Sequence, residues 1–125
     1  MVTYADTAEG VRPDDLDAFF VGWPSPPSRE RRLALLLQSD SVALAFDGCR
    51  LVGFTTAISD GVLAAFIPFL EVLPSYQRRG IGTTLIDCLL ADLDDLYMVD
   101  VLCDAGLEPF YGRFGFVTLD PMEAE

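Results

Sequence analysis

The stretch FIPFLEVLPSYQRRGIGTTLIDCLLADL, residues 66–93, decides what can be predicted from this sequence. It begins with a nearly continuous apolar run, which is typical of a strand that is buried on both faces. It ends with Ile81, Leu85 and Leu89 at helical spacing, which predicts an apolar face along a helix. The segment QRRGIG, residues 77–82, joins the two parts. We therefore predict a buried strand, a glycine-rich turn and a helix in direct succession.

The turn before this helix is suited to a phosphate group. A helix N-terminus presents unpaired backbone N–H groups and partial positive charge, and glycines let a ligand approach the backbone closely. Arg78 and Arg79 add full positive charge to the turn. Two familiar phosphate motifs are excluded, because a P-loop needs a lysine and the chain contains none. A dinucleotide fingerprint would need a third glycine where the chain has Leu85.

The pattern that remains is Q-x-x-G-x-G, residues 77–82, shortly after the segment LEV, residues 70–72. It resembles the [QR]-x-x-G-x-[GA] motif of the GNAT superfamily of N-acetyltransferases, which follows a strand in the same way. The resemblance runs from the first predicted strand to Phe116. It implies the α+β (α/β) class and the GNAT fold, a mixed and mostly antiparallel sheet of about six strands flanked by about four helices.

The resemblance also implies that acetyl-CoA is the acyl donor. In the family, the glycine-rich loop grips the pyrophosphate, and the strand before it pairs with the pantetheine arm through its backbone. The Val72 N–H would then polarise the thioester carbonyl. An asparagine that contacts the cofactor in many relatives is replaced here by Asp104. The predicted cofactor-binding residues are Leu70, Val72, Gln77, Arg78, Arg79, Gly80, Ile81, Gly82, Thr83 and Asp104.

Pro68 lies inside the predicted strand, where it cannot donate a ladder hydrogen bond. A proline at such a position indicates a bulge or an opening in the pairing. In GNAT enzymes this strand bulges and splays from the next one, and the pantetheine arm lies in the resulting V. Pro68 is consistent with that opening, and a bulge without a functional role is the alternative.

Two residues are candidates for the proton transfers. The segment FYGRFGF, residues 110–116, is similar to the family's Y-x-x-x-G-F segment, whose tyrosine commonly acts as general acid. Tyr111 is therefore predicted to protonate the leaving thiolate, with a core tyrosine as the alternative reading. Glu71 is the nearest carboxylate that could serve as general base. Strand alternation, however, puts its side chain on the face of the sheet opposite to the side chains of Leu70 and Val72. A structural role for Glu71, an ordered water, or an amine that arrives neutral are the alternatives.

Composition limits the chemistry and the partners. The chain has no His and no Lys, which excludes histidine bases and Schiff-base chemistry, and we predict no metal site. The net charge of −12 disfavours nucleic acid and favours a cationic amine, either a small molecule or a peptide, as acceptor; solubility or a saline cytoplasm is the alternative reason for the acidity. No apolar run is long enough to cross a bilayer and no leader pattern is present, so we expect no membrane association and a cytoplasmic location.

The whole chain, residues 1–125, is predicted to be a single N-acetyltransferase domain. We expect helices from Pro13 and from Ser28. In the family, the segment that joins the first two helices borders the acceptor pocket, so the resemblance implies this role for Phe19 to Pro27, which includes the chain's only Trp. Little chain follows Tyr111 for the family's usual seventh strand, so we expect an exposed sheet edge and a homodimer that covers it. The other predicted elements are strands at residues 2–4, 42–46, 51–58, 62–72, 96–102 and 116–119, and a helix at residues 107–114.

The sequence therefore predicts an N-acetyltransferase that moves an acetyl group from acetyl-CoA to a primary amine by direct attack. The alternative is a non-catalytic acyl-CoA-binding module or a regulatory subunit on the same fold. The lack of an obvious general base in the sequence motivates that alternative.

The Q-x-x-G-x-G loop predicts a ligand preference that calorimetry can measure. The protein should bind acetyl-CoA more tightly than ATP or NAD, because it lacks both the P-loop lysine and the third dinucleotide glycine. Titrations of the three ligands under identical conditions provide the comparison. Tighter binding of ATP or NAD would contradict the assignment of the loop.

Overall fold

A single sheet holds five strands in chain order in the computed structural model, which describes residues 1–119. The strands are β1 (Val2–Ala5), β2 (Ser41–Asp47), β3 (Arg50–Ser59), β4 (Ala64–Val72) and β5 (Met98–Val101). Neighbours from β1 to β4 are antiparallel, and β5 pairs in parallel with β4. The α-helices are α1 (Arg29–Gln38), α2 (Ile81–Asp92) and α3 (Glu108–Gly112).

This mixed sheet with its helices confirms the predicted fold class. The counts differ from the prediction, since the described residues form five strands rather than about six and three α-helices rather than about four. The predicted last strand, residues 116–119, is not formed. Instead, the Phe116 ring packs against Tyr111 at a centroid distance of 5.8 Å. No helix within residues 1–119 is long and apolar enough to cross a membrane.

The helix predicted from Pro13 is a single 3₁₀ turn that ends at Leu16. Phe20 has a positive φ of 66°, which no helix residue adopts, so the chain turns there. The turn lets Phe19 and Phe20 pack on Phe54 of β3. The tertiary contact thus replaces the helical face that the spacing predicted.

The helix predicted from Ser28 begins at Arg29 and buries Leu36, whereas the neighbouring Leu37 is 59% exposed. The strand predicted from Val62 begins at Ala64. The reason is a turn in which the Asp60 carboxylate accepts N–H hydrogen bonds from three successive residues, Val62, Leu63 and Ala64.

The middle of β4 carries the bulge that Pro68 predicted. The β3–β4 register slips between Thr56 and Ile58, where Ile67 and Pro68 stand opposite a single residue of β3. The bulge is therefore confirmed. It also coincides with the end of the parallel pairing of β4 with β5, which the next subsection describes.

Helix α2 packs on the central strands and seals the core beneath the glycine-rich turn. Its residues Leu85, Ile86 and Leu89 are fully buried. Gly53 of β3 lies directly under Leu85, and a Cβ at Gly53 would come within 3.0 Å of the Leu85 Cδ1 atom. The same Cβ would lie 3.3 Å from the backbone oxygen of Glu71. The absence of a side chain at this position therefore sets how closely α2 approaches the sheet.

Replacing Gly53 with Ala should reduce the free energy of unfolding by about 1–3 kcal/mol, because the extra methyl group overpacks the contact between α2 and β4. Urea denaturation followed by circular dichroism measures the change. Gly106→Ala is the matched control, since a Cβ there meets nothing within 4 Å. Equal stability of the two variants would contradict this view of the packing.

Candidate active site

A gap opens between β4 and β5 where their pairing stops. The last parallel pair is Ile67 with Val101, so the rest of β4, from Pro68 to Val72, has no partner on that side among the described residues. The gap contains a cavity of about 410 Å³. Its walls come from Ile67, Pro68 and Leu70 on one side and from Leu102, Cys103, Asp104, Leu107 and Tyr111 on the other.

The backbone of β4 points away from β3 at two of the predicted residues, Leu70, which lines this gap, and Val72, which lines a separate cavity beside it. The Leu73 N–H donates to the Val52 carbonyl of β3 at 2.9 Å. Because backbone groups alternate sides along an antiparallel strand, Leu70 and Val72 direct their N–H and C=O groups away from β3. The Val72 carbonyl accepts a hydrogen bond of 3.0 Å from the Gln77 side-chain amide. Gln77 therefore ties the turn to the end of β4.

The turn delivers free N–H groups at the start of α2. Arg78 and Gly80 both have positive φ, 64° and 79°, and this conformation reverses the chain into the helix. The first helical bond runs from the Thr84 N–H to the Gly80 carbonyl at 3.1 Å. The N–H groups of residues 81–83 precede that bond, so they have no intrahelical acceptor. Arg78 and Arg79 are exposed beside them.

Gly82 has a neighbour that the sequence did not indicate. A Cβ at Gly82 would lie 3.7 Å from the ring of Phe110 on α3 and 3.9 Å from a methyl group of Val72. These are ordinary contact distances. Phe110 of α3 therefore lies beside the first turn of α2.

Tyr111 lines the gap from α3 and is only 6% exposed. Its ring packs edge-on against Phe110 and Phe116, at centroid distances of 5.0 Å and 5.8 Å. Its hydroxyl has no hydrogen-bond partner among residues 1–119. Burial, and secondarily the neighbouring Cys103, raises the pKa of the Tyr111 hydroxyl above its usual value. The group therefore carries its proton at neutral pH and can donate it into the cavity.

Glu71 lies in a different place from Tyr111. Its carboxylate accepts hydrogen bonds from the Phe20 N–H, 2.9 Å from each oxygen, and from the Val21 N–H at 3.3 Å. It lines a second cavity of about 340 Å³, not the gap that contains Tyr111. The structure thus joins Tyr111, Asp104 and Leu70 in one cavity and leaves Glu71 outside it.

The second cavity has an aromatic wall that comes from the segment between the 3₁₀ turn and α1. Trp23 packs against Phe20 at 4.9 Å and lies 6.0 Å from Phe69 of β4, measured between ring centroids. Both cavities share Pro68 and Leu70 as lining residues, so they meet at the bulge. The position of Trp23 agrees with the expectation that its segment borders a pocket.

No group of three or more His, Cys, Asp or Glu side chains that could hold a metal ion occurs in the part of the chain that the structure describes. The remaining titratable groups of the gap are the exposed Cys103 and Asp104. The gap therefore offers backbone hydrogen bonding and one protonated phenol, and the arginine-flanked N-terminus of α2 lies beyond the end of β4.

Replacing Glu71 with Gln should loosen the segment around Trp23, because an NH₂ group would replace one of the two carboxylate oxygens that accept from the Phe20 N–H and would set a donor against that donor. We expect a loss of about 1–3 kcal/mol in the free energy of unfolding, the usual penalty for unsatisfied partners. Trp23 fluorescence reports the local change, since it is the only Trp. Asp87→Asn on the exposed face of α2 is the control. If Glu71→Gln leaves both the Trp23 fluorescence spectrum and the stability unchanged, Glu71 does not anchor this segment.

Curated relatives of this chain include two plant proteins. The chain is 33% identical over 124 residues to GCN5-related N-acetyltransferase 1, chloroplastic, of Arabidopsis thaliana, and covers 60% of its length. That match includes 92% of this chain. It is 39% identical over 82 residues to GCN5-related N-acetyltransferase 3, chloroplastic, of the same plant, with 64% of this chain and 35% of the relative covered. The chain thus spans between about a third and three fifths of these two relatives.

Solved structures share the fold, and a family profile matches most of the chain. A proposed acetyltransferase from Deinococcus radiodurans R1 superimposes with a TM-score of 0.91 at 41% identity, over 97% of this chain and 85% of that one. The profile described as "Acetyltransferase (GNAT) family" matches residues 8–116. This range includes β4, the turn, α2 and Tyr111, and it confirms the resemblance seen in the sequence. The chain belongs to the GNAT family of acetyltransferases.

Proposed function

We propose that this protein transfers an acetyl group from acetyl-CoA to a primary amine by direct attack of the amine on the thioester. The observation that carries the proposal is the gap beside the β4 bulge. Tyr111 lines the gap, and the end of β4 runs from the gap to Val72, which Gln77 ties to the turn before α2. Membership of the acetyltransferase family supports the same reaction.

The donor would lie along β4 with its phosphates at the turn. The pyrophosphate would accept hydrogen bonds from the N–H groups of residues 81–83, beside Arg78 and Arg79. The pantetheine arm would pair with the outward backbone groups of Leu70 and Val72, as an additional strand would. The Val72 N–H would then donate to the thioester oxygen, on which negative charge develops during the attack.

The acceptor would enter through the cavity of about 340 Å³ that meets the gap at Pro68. Its lining combines the aromatic rings of Phe20, Trp23 and Phe69 with the Glu71 carboxylate. Aromatic faces and a carboxylate both attract an ammonium group, and the net charge of −12 adds a long-range attraction. We therefore propose a cationic amine, small or part of a peptide, as the acceptor.

The two proton transfers would fall to different groups. Because the Glu71 carboxylate already accepts hydrogen bonds from Phe20 and Val21, we propose that it mainly holds the acceptor wall in place. Water in the cavity would take the ammonium proton, with Glu71 as a nearby negative charge. Tyr111 would give its proton to the departing thiolate of CoA.

A single domain over residues 1–125, a homodimer and a cytoplasmic location stay predictions from the sequence. Sedimentation velocity over a range of concentrations tests the dimer. A fluorescent fusion of the full-length protein in its own cell tests the location.

The reaction itself is tested by following free thiol while acetyl-CoA is mixed with a panel of amines that includes aminoalkyl, arylalkyl and peptide amines. Steady thiol release above the hydrolysis rate for at least one amine supports the proposal. Binding of acetyl-CoA without turnover for any amine would favour the alternative of a non-catalytic acyl-CoA-binding module. Failure to bind acetyl-CoA at all would contradict both.

Replacing Tyr111 with Phe should lower kcat by about 10²–10⁴-fold, because it removes a positioned acid and keeps the aromatic packing. The dissociation constant for acetyl-CoA and the melting temperature should remain close to those of the wild type. Because burial raises the pKa of this phenol, wild-type kcat should hold through about pH 9 and fall only above the ordinary tyrosine value near 10.

Stopped-flow thiol detection gives kcat for both forms, with Tyr97→Phe as the control because that side chain is 83% exposed. A kcat of Tyr111→Phe within a few-fold of the wild type would show that another group supplies the proton. A large loss of stability without a selective loss of kcat would instead assign the hydroxyl a purely structural role.

A further inference from the structure

The arginines of this chain fall into two groups. Arg29 forms a salt bridge with Asp17, and Arg32 donates to the backbone carbonyls of Pro27 and Leu16. A second group has no salt bridge to any residue within 1–119, although the chain carries 20 acidic residues. Three of its members surround the first turn of α2, namely Arg78, Arg79 and Arg113. Because these arginines form no salt bridge with the described residues, their charges are available for an anionic ligand.

Arg113 directly follows α3 and is held over the first turn of α2 by two contacts, one with α2 and one with α3. Its Nη2 atom lies 3.4 Å from the Thr83 hydroxyl, and its guanidinium carbon lies 5.0 Å from the centre of the Phe110 ring. Phe110 in turn contacts Gly82 in the same turn of α2. The distance to Thr83 is long for an N–H···O hydrogen bond, so a phosphate oxygen could replace that contact at little cost.

Helix α3 and the residue that follows it therefore contact the proposed donor site at two places, the gap and the first turn of α2. Tyr111 lines the gap between β4 and β5, and Arg113, two residues later, lies over the free N–H groups of α2. The helix has only five residues. A ligand that binds Arg113 would restrain the segment that carries Tyr111.

We propose that Arg113 binds a phosphate group of the acyl donor and that this contact positions Tyr111 at the thioester. The proposal rests on the proposed function, because it assumes that the donor is acetyl-CoA. Arginine suits the task, since its planar guanidinium forms charge-assisted and often bidentate hydrogen bonds with phosphate. The contact with the Phe110 ring keeps the guanidinium in place before the donor arrives. The two roles of α3, phosphate capture and proton donation, are thereby coupled.

The test compares two donors that share a thioester but differ in phosphate. Acetyl-CoA and S-acetylpantetheine, which has no phosphate, are assayed with the wild type, Arg113→Gln, Arg113→Lys and Arg31→Gln. Arg31 is the control because it is exposed on α1. An amine that proves active in the acceptor panel is used throughout, and the Kd of acetyl-CoA is measured in parallel by calorimetry.

Arg113→Gln should weaken the binding of acetyl-CoA by about 10–100-fold, the worth of a charge-assisted hydrogen bond, and should leave kcat/KM for S-acetylpantetheine within about two-fold. Its kcat with acetyl-CoA should fall toward the value with S-acetylpantetheine. Arg113→Lys should recover part of the acetyl-CoA affinity, and Arg31→Gln should change neither donor.

Equal losses for both donors would overturn the proposal, because they would show that Arg113 supports the fold rather than the phosphate. Unchanged affinity for acetyl-CoA in Arg113→Gln would overturn it as well. The wild type is titrated with acetyl-CoA before any variant is compared. If it does not bind, the proposed function itself is contradicted.

Discussion

The parallel pairing of β4 with β5 stops at Ile67 and Val101, and the proposed donor site depends on that stop. Pro68 follows at once and has no N–H to continue a ladder, so the remaining part of β4 has no neighbouring strand on that side among the described residues. Further pairing would close the cavity and would occupy the N–H of Val72. On the other side of the strand, the bulge takes Pro68 out of the regular pairing of β4 with β3. A single proline thus leaves room for a ligand to pair with the strand.

The distribution of charge adds a second constraint. The chain carries a net charge of −12, yet Arg78, Arg79 and Arg113 surround one helix N-terminus without salt bridges to the described residues. The Glu71 carboxylate faces the other cavity, where it is held by backbone N–H groups. In the proposed arrangement, the phosphates of an anionic donor would meet the arginines at the N-terminus of α2, and a cationic acceptor would meet the Glu71 carboxylate in the second cavity.

Sequence reasoning predicted the features that local patterns encode. The strand, turn and helix from residue 66 to residue 93 and the bulge at Pro68 follow from residue types at fixed spacings, whereas the expectation for Tyr111 came from the family resemblance. It did not predict the partners of Glu71, which lie about fifty residues earlier in the chain, nor the turn at Phe20 that presents their N–H groups. The contact of Arg113 with Thr83 was missed for the same reason. Such contacts join distant segments, and no periodicity in either segment signals them.

The central claim is that the gap between β4 and β5 holds the thioester end of acetyl-CoA. A crystal structure of the protein with CoA tests it most directly. We expect the CoA sulfur in the gap within about 3–3.5 Å of the Tyr111 hydroxyl, with the pyrophosphate at the N–H groups of residues 81–83. CoA bound on another surface, or a gap closed by continued pairing of the two strands, would contradict the account.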